Sequence, residues 1–329
     1  MKSAAGAAVT IHPSQFPDAI RRDLLDSLRK RRVNHKFHYD SVKQTQKWLA
    51  LHQAYSPTRT DADCRAIYDQ AFAAAAAHIP SRQVHVVGLG CGGGQKDARL
   101  LKRLKARGKQ IFYTPCDVSV AMVLTARQAA LSVVPEKNCF PLVCDLATAD
   151  DLAGVHASRF TLHASRLVTF FGMIPNFEPR RILPRLVSLL RPRDFLLFSA
   201  NLAPGKDYAA AMNKILPQYD NQLTHEWLMM FLLDLGIARN DGDLRFSIEQ
   251  GWSGLKRIVA RFHFLRARRI NIDAGVFCYR RGDSLPVFFS YRYTPDRVHP
   301  LLAAHGLKVD QQWIAPSEEE GVFLCSGAR

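Results

Sequence analysis

Residues 83–96 read QVHVVGLGCGGGQK. Val84, Val86, Val87 and Leu89 lead into Gly88, Gly90, Gly92, Gly93 and Gly94, and Ala98, Leu101 and Leu104 follow at helical spacing with basic residues between them. This order predicts a buried strand, a tight glycine turn and an amphipathic helix. A side chain in such a turn would keep a ligand off the backbone, and the free N–H groups of a helix start suit a nucleotide. Gly88, Gly90 and Gly92 are therefore candidates for cofactor binding, set against the plainer reading of a structural turn.

Working outward, 110–115 reads as a second apolar strand. Asp117 follows about twenty residues beyond the last glycine, the spacing of an acid that binds ribose hydroxyls. A third short strand, 140–144, ends at Asp145, which either caps the next helix or binds a base amine. A fourth, 166–171, ends at Gly172. Strand–helix alternation from Val84 to about Leu202 predicts an α/β fold with a doubly wound parallel sheet, and Gly, Asp, Asp and Gly at its strand ends form a nucleoside cleft. The chain has no GxxxxGK[ST], which disfavours a nucleoside triphosphate.

Composition narrows the class. The 329 residues are 47% hydrophobic and 22% charged, enough for one large domain or two smaller ones. No apolar run reaches the roughly 20 residues of a membrane span. The opening MKSAAGAAVTIHP is too short and too weakly apolar for a signal peptide. Seven cysteines without a CxxC pair suit a reduced, cytoplasmic protein, and twelve histidines without HExxH point to no catalytic metal. The net charge of +16 suggests an anionic partner such as nucleic acid or, more simply, a dispersed basic surface. The basic clusters at 21–32 and 257–269 alternate with apolar residues like one wet face of a helix and of a strand, so nucleic acid is disfavoured.

The rest of the chain changes pattern. Residues 13–36 read as a helix, 37–59 hold a short helix ending before Ser56-Pro57, and 60–78 read as a long helix with Thr60 as N-cap. After Asn201 come a loop, an apolar helix at 222–237 and antiparallel strands at 256–272 and 275–279. A strand at 287–293, a helix at 295–305 and a strand at 320–325 would complete the sheet. The expected organisation is a catalytic domain of 60–202 and 286–329, interrupted by a substrate-binding or lid unit of 1–59 and 203–285.

These residues also carry a family resemblance from about 36 to 325. The chain resembles the histidine Nα-methyltransferases of ergothioneine biosynthesis, class I S-adenosylmethionine-dependent methyltransferases. The matching stretches are Phe37-His38-Tyr39-Asp40, Tyr55-Ser56-Pro57-Thr58-Arg59, the glycine loop ending in Lys96, Asp117-Val118-Ser119, Phe170-Phe171-Gly172 with Pro175-Asn176-Phe177, Tyr219-Asp220-Asn221 and Ser290-Tyr291-Arg292-Tyr293. The resemblance implies a Rossmann-like, mostly parallel seven-stranded sheet with an inserted α+β substrate domain. It implies S-adenosylmethionine as cofactor, held by Gly88, Gly90, Gly92, Lys96, Asp117, Asp145 and Phe171. It places Tyr39 and Ser290 in the catalytic step, and Ser56, Asn176, Tyr219, Phe288 and Ser290 around the acceptor.

Four positions depart from the family pattern. Phe288 stands where a Glu holds the imidazole of histidine, Ser56 where a second Tyr lies near the amine, Gly88 where the first strand ends in an acid, and Asn201 where the fifth strand ends in Asp. Phe cannot hydrogen-bond an imidazole. The expectation is a monomeric amino-acid or amine N-methyltransferase that does not use histidine and whose pocket suits an apolar or aromatic side chain. The alternatives are a nucleic-acid methyltransferase and a cofactor-binding relative with a decayed site. The chain lacks the Asn/Asp-Pro-Pro-Tyr loop that many base methyltransferases carry.

Overall fold

A computed structural model describes residues 6–152 and 164–327. The outer ends of the two expected units, 1–5 and 328–329, lie outside the described residues. Among the described residues the strands in chain order are β1 (Thr10–Ile11), β2 (Gln83–Leu89), β3 (Gln110–Asp117), β4 (Leu142–Val143), β5 (Ser165–Phe171), β6 (Phe195–Asn201), β7 (Gly242–Gln250), β8 (Lys256–Phe264), β9 (Arg268–Ile272), β10 (Gly275–Tyr279), β11 (Ser284–Arg292), β12 (Leu307–Ile314) and β13 (Glu320–Gly327).

The main sheet has eight strands in the order β1-β4-β3-β2-β5-β6-β13-β12. All its pairings are parallel except those of β13, which runs antiparallel to β6 and β12. The two-residue β1 is the strand beyond the seven expected. Val84, Val86, Val87 and Leu89 in β2 are each at most 2% exposed. A central parallel strand is covered on both faces by helices, so its sequence is a continuous apolar run. Strand order reverses between β2 and β5, and the carboxyl ends of β2, β3 and β5 open onto the crevice where such sheets bind ligands.

Side chains set the helix starts. The long helix Ala62–His78 begins at Asp61 rather than Thr60, because the Asp61 carboxylate accepts the N–H groups of Asp63 and Cys64. The helix expected over 13–36 is a short 3-10 turn, Pro13–Gln15, followed by Pro17–Arg29. The helix Val42–Tyr55 starts with a capping box between Ser41 and Gln44. Two amphipathic elements escaped the periodicity argument, the helix Tyr208–Tyr219 and the strand β7.

Strand β11 does not complete the main sheet. It pairs antiparallel with β8, and β8 with β7, in a separate three-stranded sheet, while β9 and β10 form a hairpin. The missing strand of the main sheet is β12, whose polar–apolar alternation is broken by a bulge between Val309 and Gln311. One apolar core joins Leu28, Val33 and Phe37 to Trp227 and Phe231 of the helix Gln222–Asp234 and to Phe262, Leu285 and Phe288 of the three-stranded sheet.

Gly94 closes the glycine turn in the left-handed region, with φ +74°, and a Cβ there would lie 2.6 Å from the Ala126 Cα on the next helix. Gly94→Ala combines backbone strain with overlap, and should lower unfolding free energy by about 2 kcal/mol or more in a urea titration. An unchanged midpoint and slope would show that the turn tolerates a side chain.

Candidate functional site

A cavity of about 320 Å³ lies at the carboxyl ends of β2, β3 and β5, at the lower end of the range for small-molecule sites. One side is built by the main sheet: the glycine loop with Gly90 and Gly92, the helix start at Lys96 and Asp97, then Asp117, Asp145 and Phe171. The opposite side comes from Asn34, His35, Lys36 and Tyr39, from Trp48, His52 and Ser56, and from Asn176 and Phe177.

Asp117 ends β3, and burial raises its pKa even though backbone N–H groups oppose the shift. Its Oδ2 accepts the Gly92 N–H at 3.0 Å and its Oδ1 the Ser119 N–H at 3.1 Å. A carboxylate has about four lone-pair sites, so this one fixes the glycine turn and keeps capacity for ligand hydroxyls. Asp145 both caps and lines. It accepts the Ala147 N–H at 2.8 Å and the Thr148 hydroxyl at 3.0 Å, and the buried Lys36 ammonium lies 3.4 Å away. Lys36 also lies 2.5 Å from Asp23, so it ties the N-terminal segment to the end of β4.

Lys96 leans on the wall with its ammonium 2.9 Å from the Tyr68 hydroxyl, which in turn lies 2.5 Å from Glu320. Phe171 packs edge-on against Tyr68, and the Gly172 N–H donates to Ser199 at 2.8 Å. Above the glycine loop sits Trp48, which a Cβ at Gly92 would meet at 3.2 Å. The Thr45 and Ser119 hydroxyls, 3.0 Å apart, hold that helix over the loop.

Gly88, Tyr219, Phe288 and Ser290 do not line this cavity. A Cβ at Gly88 would stand 2.2 Å from the Asp97 carboxylate. Asp97, in the first turn of the helix Gln95–Ala106, lays its carboxylate over Gly88, where Tyr113 of β3 donates to it at 2.7 Å and Thr169 of β5 at 2.8 Å. The end of β2 therefore has an acid on the cavity, supplied nine residues later in the chain. Sequence reasoning missed Asp97, as it did Lys36 and Trp48, because only long-range packing brings them to the cleft. An acid in the first helical turn was the available signal, and it reads equally well as dipole compensation.

Tyr219 and Ser290 bond to each other, hydroxyl to hydroxyl, at 3.0 Å. Phe288 lies beside them but is only 7% exposed, with His35 stacked on it at 5.0 Å and Trp227 edge-on at 5.5 Å. The face expected to receive an aromatic acceptor is filled by the chain's own imidazole. Ser56 is buried, and its hydroxyl lies 3.0 Å from that of Thr58.

On the side opposite the sheet the titratable rings are held neutral. Burial, then the nearby Lys96 and Arg59, pushes His52 down to about 3. Burial, then His38, Arg32 and Arg257, holds His35 well below the usual imidazole range. Burial, reinforced by Asp117, raises Tyr39, so its phenol stays protonated at neutral pH. The acids on the cavity are Asp97, Asp117, Asp145 and Glu320, against the bases Lys36 and Lys96. Within a strongly basic chain, the cavity has an excess of carboxylates, which favours cationic ligands. Among the described residues no helix is long and apolar enough to cross a membrane, and no cluster of three His, Cys, Asp or Glu could hold a metal ion.

A family described as histidine-specific, S-adenosylmethionine-dependent methyltransferases matches residues 20–327. No curated protein matches the chain. Solved structures with a similar course are distant. A possible exported protein from Bordetella parapertussis is 10% identical over 95% of this chain and 95% of its own, with a TM-score of 0.46. The Burkholderia thailandensis 1,6-didemethyltoxoflavin N1-methyltransferase, bound to its substrate and S-adenosylhomocysteine, is 13% identical over 99% of this chain and 94% of its own, with a TM-score of 0.44. Human N-acetylserotonin methyltransferase with S-adenosylmethionine is 13% identical over 96% of this chain and 69% of its own, with a TM-score of 0.42.

Burial raises Asp97 from 3.8 to about 6, against the opposing hydrogen bonds of Tyr113 and Thr169. The folded chain then binds this proton more tightly than the unfolded chain. The stability this supplies is complete below about pH 4 and is lost as pH rises through about 6. Asp97→Asn should therefore gain on the parent protein by about 2–3 kcal/mol between pH 4 and pH 7, read from urea titrations of the ligand-free proteins. A difference independent of pH would place Asp97 in contact with solvent.

Proposed function

The chain belongs to this histidine-specific, S-adenosylmethionine-dependent methyltransferase family, and from that premise we propose that it methylates the α-amino nitrogen of a small amino acid or amine other than histidine. The fold is the class I methyltransferase fold, and the cofactor is S-adenosylmethionine. The cavity's donor set suits that cofactor. Asp117 has free lone pairs for the ribose hydroxyls. Asp97 would offer a carboxylate to the ammonium, Gly90 and Gly92 would let the ligand approach the backbone, and Asp145 would be available to the base. Phe171 and Met122 supply apolar wall. When bound, S-adenosylmethionine supplies an electrophilic methyl group on a sulfonium.

The observation that carries the acceptor reading is the excess of carboxylates on the cavity. A polyanion would meet Asp97, Asp117, Asp145 and Glu320 there; three of these acids serve the cofactor, so they disfavour nucleic acid without themselves holding the amine. This argues for a small amine, bound as the free base, over nucleic acid despite the charge of the whole chain. Transfer to an amine needs a neutral nitrogen, alignment and exclusion of water. Tyr39, as a neutral phenol, can accept one N–H of the amine and leave its lone pair free. Asn176 offers an amide to a carboxylate. With His35 and His52 held neutral, the residues around the acceptor supply hydrogen bonds and shape rather than a charged base. Tyr219 and Ser290 would support this side from behind, through Phe288 and the helix Gln222–Asp234. The segment from about residue 12 to 59, with the three-stranded sheet of β7, β8 and β11, then serves as the acceptor side of the enzyme. Against histidine stands the want of an imidazole partner, since Phe288 takes the place of the family's Glu and His35 covers it.

Labelled S-adenosylmethionine offered with free amino acids, simple amines, RNA and DNA tests this reading by mass spectrometry. Label should enter an amino acid or amine in preference to histidine, and no nucleic acid. Preference for histidine would contradict the acceptor reading, and S-adenosylhomocysteine binding without any transfer would mark a decayed enzyme. Asp117→Ala should weaken S-adenosylhomocysteine binding in calorimetry by about 1–3 kcal/mol, the cost of stranding buried partners. Unchanged affinity would remove Asp117 from the site.

A further inference from the structure

A second cavity of about 120 Å³ lies behind the first, walled by Phe288 and Phe289 with Arg32, Arg257 and Arg261 at its edge. His35 lines both cavities. Its ring stacks on Phe288 at 5.0 Å and 18°, and lies 4.4 Å from Phe289. The contact is built by the backbone around it. Val33 donates its N–H to the Pro286 carbonyl at 3.0 Å, and the Phe289 N–H donates to His35 Nε2 at 3.1 Å. The pairing of β11 with β8 shifts register between Pro286 and Phe288. The bulge turns backbone groups of β11 toward the N-terminal segment, and the histidine ring satisfies one of them.

Because Nε2 accepts a hydrogen bond, the neutral ring has its proton on Nδ1. That nitrogen is buried and has no hydrogen-bond partner among the described residues. A buried donor left alone is costly, so the ring is placed here for shape at the expense of one hydrogen bond.

We infer that His35 determines acceptor specificity: its imidazole closes the cofactor-side cavity against the slot at Phe288 and confines the acceptor to short side chains. The inference rests on reading the cavity as the methyl-transfer site. The slot is about 120 Å³ of open space, and the His35 ring is the wall that stands between it and the cofactor-side cavity. Free histidine, tryptophan and phenylalanine are all excluded by the same plug. Removing the ring joins the two cavities and leaves a space between the Phe288 and Phe289 rings and the arginine side chains that a small ring can enter.

The test uses the full chain as His35→Gly and as His35→Asn, the latter keeping an acceptor near the Phe289 N–H. S-adenosylhomocysteine binding reports that each variant is folded. Free imidazole at millimolar concentration should raise the melting temperature of His35→Gly and leave the parent unmoved. With labelled cofactor, the ratio of tryptophan or phenylalanine turnover to alanine turnover should rise roughly tenfold or more in either variant, the scale at which pocket shape discriminates. Variants that bind S-adenosylhomocysteine yet neither take up imidazole nor change that ratio overturn the inference. Imidazole uptake with no methyl transfer to any amino acid or amine by parent or variants supports the plug and overturns the proposed function instead.

Discussion

Gly88 has no side chain, and the carboxylate of Asp97 occupies the space one would fill. The site depends on this exchange. Gly88 sits at the carboxyl end of β2, opposite Thr169 of β5 in register. Its missing Cβ lets the first turn of the next helix come down onto the sheet. There Tyr113 and Thr169, from the strands on either side, hold the acid. One carboxylate thus pins the glycine turn, the helix after it and three central strands in one geometry. The cost is a buried charge, seen in its raised pKa, and a buried carboxylate held up in this way is suited to a cation that restores its charge.

The second constraint comes from the other side of the cleft. Residues 33–48 touch the sheet at several points: Lys36 at Asp145, Thr45 at Ser119 and Trp48 over Gly92. They touch β11 through Val33, His35 and His38. This short stretch determines how wide the cavity is and where it ends. It explains why a strongly basic protein can enclose a carboxylate-rich pocket: its arginines lie elsewhere, many in ion pairs, as Arg257 and Arg261 are with Glu249.

What the sequence made legible follows from how local each signal is. The run Val84 to Leu89, the glycines after it and the acids at 117 and 145 are read from neighbours in the chain, and the structure places Gly90, Gly92, Asp117 and Asp145 on one cavity. Strands β7 and β12 were hidden because each has one wet face and little apolar content. Strand β11 was assigned to the wrong sheet because a strand buried on both faces suits either, and only pairing with β8 decides. The family pattern flagged Gly88 as lacking its acid but could not show that Asp97 replaces it, since the replacement depends on a helix packing over a strand. Phe288 was read as an apolar wall open to an acceptor ring. That the chain's own His35 covers it depends on contacts across more than 250 positions of sequence.

The account's central claim is that the acid over Gly88 and the acid ending β3 together hold the cofactor. A crystal structure with S-adenosylhomocysteine tests it most directly. The account predicts the ligand's amino group within hydrogen-bonding reach of Asp97, directly or through one water, and its ribose hydroxyls on Asp117. A ligand whose amino group lies away from Asp97, with that carboxylate still bonded to Tyr113 and Thr169 alone, would contradict it.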